Sequence, residues 1–200
     1  NQAAFPSGRL YYQKPGRVRL RLGRGQDTLV EVIGNGNKYM TNMQVFRDAY
    51  SGDYSELPIP SPGRISLLAP DIAAAVDPVR LIYRPGAQLV PTLMQWEQIT
   101  VLIMIKVPEE DEGAWPASSI WMDRRAQEIQ TAEKYRAPGA VTTRIQYVDM
   151  GAAPTGEGNV VQIPNMIVLQ YPQEQTTISL TLSRVELDPE LPKDIFSLTQ

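Results

Sequence analysis

Gly8-Arg-Leu-Tyr-Tyr-Gln-Lys-Pro-Gly-Arg-Val-Arg-Leu-Arg-Leu22 decides the fold. It reads as two β-strands, Arg9–Gln13 and Arg17–Leu22, joined at Lys14-Pro15-Gly16. In the second, Val18, Leu20 and Leu22 alternate with Arg17, Arg19 and Arg21. That period of two is what a sheet with one buried and one wet face requires. Leu29-Val-Glu-Val-Ile-Gly-Asn-Gly-Asn-Lys-Tyr-Met40 adds two more strands around a tight turn, because Asn-Gly tolerates positive φ. The series predicts a large antiparallel sheet with one apolar face.

Composition narrows the function. Two hundred residues suit one domain, 1–200, with a sizeable core. A net charge of −3 gives no general drive towards nucleic acid or an acidic membrane. The chain has no cysteine, so thiolate nucleophiles, disulfides and cysteine metal sites are excluded. It has no histidine, which removes the usual general base and the commonest metal ligand. No apolar run reaches the roughly 18 residues of a membrane-spanning helix. The sequence starts at Asn1 and soon enters a strand, which reads as a trimmed start whose signal sequence is missing.

The 17 prolines and 14 glycines punctuate short apolar runs, the pattern of a β-rich chain. Further strands are expected at Thr28–Ile33, Lys38–Met43, Val45–Ala49, Gln98–Val107, Ser119–Asp123, Ala126–Tyr135, Val141–Asp149, Asn165–Tyr171 and Thr177–Leu187. The total is about ten strands, mostly joined to their neighbours. In the last strand the apolar phase shifts, which predicts a bulge or bend near Ser183-Arg184. Ile65–Leu68 and Pro70–Val76 read as two short helical pieces, with Ile65, Leu68, Ile72 and Val76 at helical spacing. Gly151–Gly158 reads as a loop and Glu109–Gly113 as an acidic hairpin tip. As a calcium loop the latter lacks the alternating ligand spacing.

Catalytic equipment is sparse. The acids sit in turns and at strand ends, and no Gly-x-Ser-x-Gly elbow is present. Gly34-Asn-Gly-Asn37 lacks the spacing and ending of a phosphate loop. Arg9, Arg17, Arg19, Arg21 and Arg24 beside Tyr11 and Tyr12 suggest single-stranded nucleic acid, but a solvated strand face explains them without a ligand. A sheet with an apolar face and little helix to cover it points instead to an apolar ligand pocket. Met40, Met43, Met94, Met104, Met122, Met150 and Met166 offer adaptable lining or ordinary core filling.

The order Gly-x-Leu/Phe-x(3)-Lys/Arg-Pro-x(2)-hydrophobic-Arg, a strand, a glycine turn and another strand is carried here by Gly8, Leu10, Lys14, Pro15, Val18, Arg19 and the run from Val30 to Tyr39. With the helical stretch 64–76 and the ending Val185 to Leu198, it resembles the LolA/LolB-like family of bacterial outer-membrane lipoprotein carriers. The resemblance implies a mainly β (α+β) chain, a curved antiparallel sheet forming a half-closed barrel with a short helical lid. It implies an additional helix before the first strand, which this sequence lacks. It also implies that the basic residue before the motif proline, here Lys14, fastens the lid. Lysine is a poorer bidentate donor than arginine. Residues 85–98 are longer than a simple hairpin needs.

The expected function is therefore non-catalytic binding or carriage of a lipid or lipoprotein acyl chain in the periplasm or cell envelope. It needs no cofactor and no metal. Leu20, Leu22, Val30, Val32, Ile103 and Ile105 are expected as wall, and Leu68, Ile72 and Val76 as lid. The expected partners are a lipid or acylated lipoprotein, with peripheral membrane contact and no nucleic acid. The runner-up is an envelope sensor or scaffold that binds another envelope protein without lipid, through an exposed apolar or charged patch. An enzyme on the same fold would show buried carboxylates or a cleft lysine.

Overall fold

The computed structural model describes residues 7–14, 16–24, 27–36, 38–44, 48–53, 69–78, 89–107, 113–155, 158–187 and 189–198. They group into two compact units. Unit 1 takes residues 1–60, 65–77 and 191–200; unit 2 takes residues 61–64 and 78–190.

Unit 1 is built on a five-stranded antiparallel meander, β1 (Ser7–Gln13), β2 (Arg17–Arg24), β3 (Asp27–Asn35), β4 (Lys38–Met43) and β5 (Asp48–Asp53). The turns follow the expected residues. Gly16 adopts φ 87° and donates its N–H to the Gln13 carbonyl at 3.0 Å, and Gly36 adopts φ 62° between the paired Asn35 and Lys38. Register sorts the side chains. Val18 faces Gly34, Leu20 faces Val32, Leu22 faces Val30, and Val32 faces Thr41. This apolar face packs against α1 (Ala69–Val76), which touches β2, β3 and β4. Ile72 and four alanines of α1 are buried. Tyr12, on the same face of β1, donates its hydroxyl to Asp77 at 2.6 Å just beyond the helix.

Unit 2 is a seven-stranded antiparallel meander in the order β12-β11-β10-β9-β8-β7-β6. Its strands are β6 (Leu89–Trp96), β7 (Ile99–Lys106), β8 (Trp115–Asp123), β9 (Glu128–Ala137), β10 (Ala140–Pro154), β11 (Val160–Tyr171) and β12 (Thr176–Thr181). A 3₁₀ turn at Pro172–Glu174 links the last two strands. One row of directly paired residues crosses the whole sheet: Leu93, Leu102, Ile120, Ala132, Ile145, Leu169 and Ile178. Its four central members are buried. The neighbouring row on the other face reads Thr92, Ile103, Ser119, Glu133, Arg144, Gln170 and Thr177 and is mostly polar.

The half-closed barrel with a helical lid does not form. Two separate antiparallel sheets take its place, and each has a linear strand order with two edges. A single curved sheet would need β5 and β6 to pair. Instead each of them is an edge strand of its own sheet. The helix is no cover over a hollow either. It spans eight residues, and its buried side chains are part of the unit 1 core.

Local expectations fare unevenly. Strands β1 to β4 lie close to the expected spans. β5 sits at Asp48–Asp53 instead of Val45–Ala49, and residues 45–47 lie outside the described ones. β10 runs on through Pro154, so the expected loop at Gly151–Gly158 shrinks to a connection between Pro154 and Val160. β12 ends at Thr181, and the bend expected near Ser183-Arg184 is present as a positive φ of 53° at Arg184. Ile65–Leu68 and most of the Glu109–Gly113 tip lie outside the described residues.

Leu20 is 3% exposed at the centre of the apolar face, and Leu22 at its end is half-buried. Leu20→Ala is expected to lower unfolding free energy by about 3 kcal/mol and Leu22→Ala by clearly less, as read from urea denaturation midpoints. Equal losses at both positions would contradict this packing.

Candidate functional site

The apolar face of unit 1 holds most of the residues expected to bind ligand. Leu20 and Val32 are a cross-strand pair, as are Leu22 and Val30. Ile72 belongs to the helix packed on them, is fully buried, and is followed one turn later by the half-buried Val76. Leu20, Val30 and Val32 are buried, so this face is filled by its own side chains. Leu68 lies outside the described residues, and Lys14 is exposed in the β1–β2 turn. Ile103 and Ile105 are half-buried on β7 of unit 2.

The opposite face of the same sheet differs from the solvated stripe that its arginines suggest. Arg19 is 18% exposed at its side chain. Its Nε and Nη2 both donate to Glu31 Oε1, at 3.0 and 2.6 Å, and Nη1 donates to the Ile195 carbonyl at 2.9 Å. Arg21 adds a second cation 3.2 Å from the same carboxylate oxygen. A planar guanidinium carries enough donors in fixed directions to serve two acceptors at once. The segment Leu191–Leu198 thereby lies on this face, with Phe196 buried. Ile33 and Met40, directly paired here, are buried too. Beside them runs a groove of about 620 Å³, with Lys38, Asn42, Ser51 and Asp53 among its polar lining and Met40 and Leu198 among its apolar lining.

The sequence signal for this arrangement was Glu31, an acid set between Val30 and Val32. On an alternating strand it must share a face with the arginines of the adjacent strand.

Unit 2 holds a second cluster, on the polar row. Arg144 Nε donates to Glu133 Oε1 at 2.7 Å, and the Tyr135 hydroxyl donates to the other oxygen of the same carboxylate. Ser119 Oγ lies 3.3 Å from the Tyr135 hydroxyl and accepts from Trp121 Nε1 at 3.2 Å. Glu133 and Ser119 are buried. Burial holds the Tyr135 phenol above the ordinary tyrosine range, and its donated bond to Glu133 pushes the same way. The Glu133 carboxylate is taken up by a guanidinium and a phenol, and a phenol held protonated is no nucleophile. The arrangement neutralises a buried acid inside the sheet. Glu133 and Arg144 stand equally far on either side of the Pro138-Gly139 turn, which is the signal that pairs them in sequence.

Strand β6 went unrecognised, because Pro91 interrupts its apolar run. Proline is tolerated on an edge strand, and β6 is an edge. Its Leu93 and Trp96 are 68% and 69% exposed. Among the described residues no group of three or more acidic, histidine or cysteine side chains is placed to hold a metal ion.

Three solved structures share this fold. A domain described as outer membrane lipoprotein-sorting, from Vibrio parahaemolyticus, matches at 9% identity over 90% of this chain and 75% of its own, with a TM-score of 0.51. A LolA superfamily protein from Nitrosomonas europaea matches at 14% identity over 97% and 85%, with a TM-score of 0.55. A DUF1329 family protein from Desulfovibrio piger matches at 10% identity over 96% and 80%, with a TM-score of 0.54. No family model matches the chain, and no curated protein is similar to it in sequence. At these identities the likeness is one of fold.

Two outcomes test the two polar clusters. Replacing Arg19 by alanine releases the Ile195 carbonyl, and tryptic cleavage after the nearby Lys193 is expected to speed up severalfold; unchanged cleavage would mean that Arg19 does not hold the segment. The Tyr135 phenol keeps its proton in the folded state at pH values where the unfolded chain has lost it. Stability from this group is therefore full below about pH 10 and declines above it. In Tyr135→Phe the alkaline decline in melting temperature is expected to be smaller.

Proposed function

We propose that this chain is a non-catalytic binding protein of the bacterial cell envelope, located in the periplasm, that takes a lipid or the acyl chain of a lipoprotein. The observation that supports this reading most directly is the apolar face of β2–β4 under a helix whose buried positions are mostly alanine. Each alanine covers the sheet with one methyl. An acyl chain gains roughly 0.8 kcal/mol per buried methylene, so a chain of ordinary length can compete with α1 for this face. In this reading Leu20, Leu22, Val30 and Val32 contact the chain, and Ile72 and Val76 border it. Ile103 and Ile105, on β7 of unit 2, are proposed separately as apolar lining within that unit. The likeness in fold to a domain described as lipoprotein-sorting and to a LolA superfamily protein supports the same reading.

A second reading has its own observation. The face under α1 is filled, while β6 exposes Leu93, Met94 and Trp96. That favours a sensor or scaffold that binds a protein through unit 2.

Mass spectrometry on an organic extract of the purified protein, with native mass spectrometry beside it, separates the two. A stoichiometric fatty acid or phospholipid is expected, with uptake lost in a folded Leu22→Glu variant. A clean protein that takes up no added acyl chain would overturn the lipid reading and leave the protein partner.

A further inference from the structure

Five polar side chains from β8, β9 and β10 form one directed chain of hydrogen bonds. Trp121 Nε1 donates to Ser119 Oγ at 3.2 Å, and Ser119 Oγ lies 3.3 Å from the Tyr135 hydroxyl. The Tyr135 hydroxyl donates to one oxygen of Glu133, and Arg144 Nε donates to the other at 2.7 Å. Proton count fixes the direction. A phenol has one proton, and Tyr135 gives it to Glu133, so Ser119 donates to Tyr135 and accepts from Trp121. Every donor in the chain therefore leads towards a carboxylate that is buried, as Ser119 is.

Neutralising Glu133 does not account for how Arg144 is used. In unit 1, Arg19 gives Nε and Nη2 to one carboxylate oxygen and Nη1 to a carbonyl. Arg144 gives Nε alone, and among the described residues nothing accepts from its Nη1 or Nη2. Those two nitrogens are the outer end of a planar fork, on a side chain that is 40% exposed. The fork is held from behind by a buried group that is itself held on both oxygens. An unrestrained arginine loses rotamer freedom when a ligand fixes it, and here folding has already removed much of that freedom.

We propose that Arg144 anchors a second ligand site, which takes a monocarboxylate with an apolar body. The fork donates two parallel bonds, and a carboxylate accepts them with its two oxygens. Charge selects a monoanion. Attraction to the neutral Arg144–Glu133 pair grows in proportion to the ligand's charge, whereas the cost of stripping its water grows with the square of that charge. Gln170, directly opposite Arg144, gives Nε2 to Gln146 Oε1 at 3.4 Å, which leaves Gln146 Nε2 as a further donor on the same face. The row beside the fork supplies apolar surface. It includes Val168, opposite Gln146, and Trp121, two strands away, both half-buried.

This site goes beyond the lipid reading of unit 1 and stands whether or not the face under α1 takes an acyl chain.

The test is an NMR titration of the whole, isotope-labelled protein with sodium octanoate and, in parallel, octanol. Octanoate is expected to move the Arg144 Nε–H signal and the Trp121 indole N–H, at the far end of the bond chain, along one saturable curve. The indole signals of Trp96 and Trp115 are expected to stay in place. Octanol has the same tail without the charge and is expected to move none of them. Arg144→Lys keeps a cation beside Glu133 but loses the fork, and octanoate binding read at Trp121 is expected to weaken about tenfold or more. Octanoate that leaves the Arg144 signal unmoved, octanol that moves it equally, or equal affinity in a folded Arg144→Lys overturns the proposal. So does sulfate, a dianion, binding the fork as tightly as octanoate. The comparison of octanoate with octanol uses the unaltered protein, so it decides even where the variant fails to fold. Octanoate taken up under α1 is told apart by Leu22→Glu, which removes that uptake and leaves the Arg144 response intact.

Discussion

Arg19 is the interaction on which unit 1 depends. A guanidinium set on a strand between two covered faces must find acceptors for its donors or lose much of its hydration without return. Here Glu31 takes two of its bonds and the Ile195 carbonyl a third. The pair fixes β2 against β3 on one face while Leu20 and Val32 fix them on the other. The same side chain brings residues from the far end of the sequence onto the sheet. Met40 and Leu198 then line the same groove, and Phe196 is buried.

Unit 2 handles its two faces by a different route. One face carries a continuous apolar row, and the other carries alternate polar positions with a buried acid at their centre. Glu133 remains compatible with that position because Arg144 on the next strand and Tyr135 on its own strand both engage it. The sheet can therefore hold a carboxylate without presenting it to solvent. The same pairing leaves nothing of the poised acid and base that a hydrolytic site would show.

Much of unit 1 was legible because alternation is a local property. Val18, Leu20, Arg17, Arg19 and Arg21 assign themselves to faces, and Asn35-Gly36 announces a turn. What local pattern does not carry is which strands share a sheet. The prolines after β5 gave notice of a break, but a break inside one curved sheet and a break between two sheets look alike in sequence. α1 was placed well from Pro70 and its alanines, yet its role was misjudged. Helical spacing tells which residues face inward, not whether anything hollow lies beneath them. β6 escaped for a third reason, since its apolar residues point to both sides and Pro91 argues against a strand everywhere except at an edge. Leu20, Leu22, Val30 and Val32 fall on one face because register follows from the turn. Ile103 and Ile105 lie on the other sheet, which their hydrophobicity alone does not reveal.

The division of the chain into units has a consequence for biosynthesis. Unit 1 closes with residues 191–200, and unit 2 is spelled out between them and the strands they cover. A chain delivered from its N-terminus, by synthesis or by export, therefore completes the seven-stranded meander before the segment that satisfies Arg19 arrives. During that interval Arg19 lacks its bond to the Ile195 carbonyl and Met40 lacks Leu198 beside it, a window in which a holding chaperone has something to grip. Unit 2, almost contiguous in sequence, carries no such delay and can fold as it emerges.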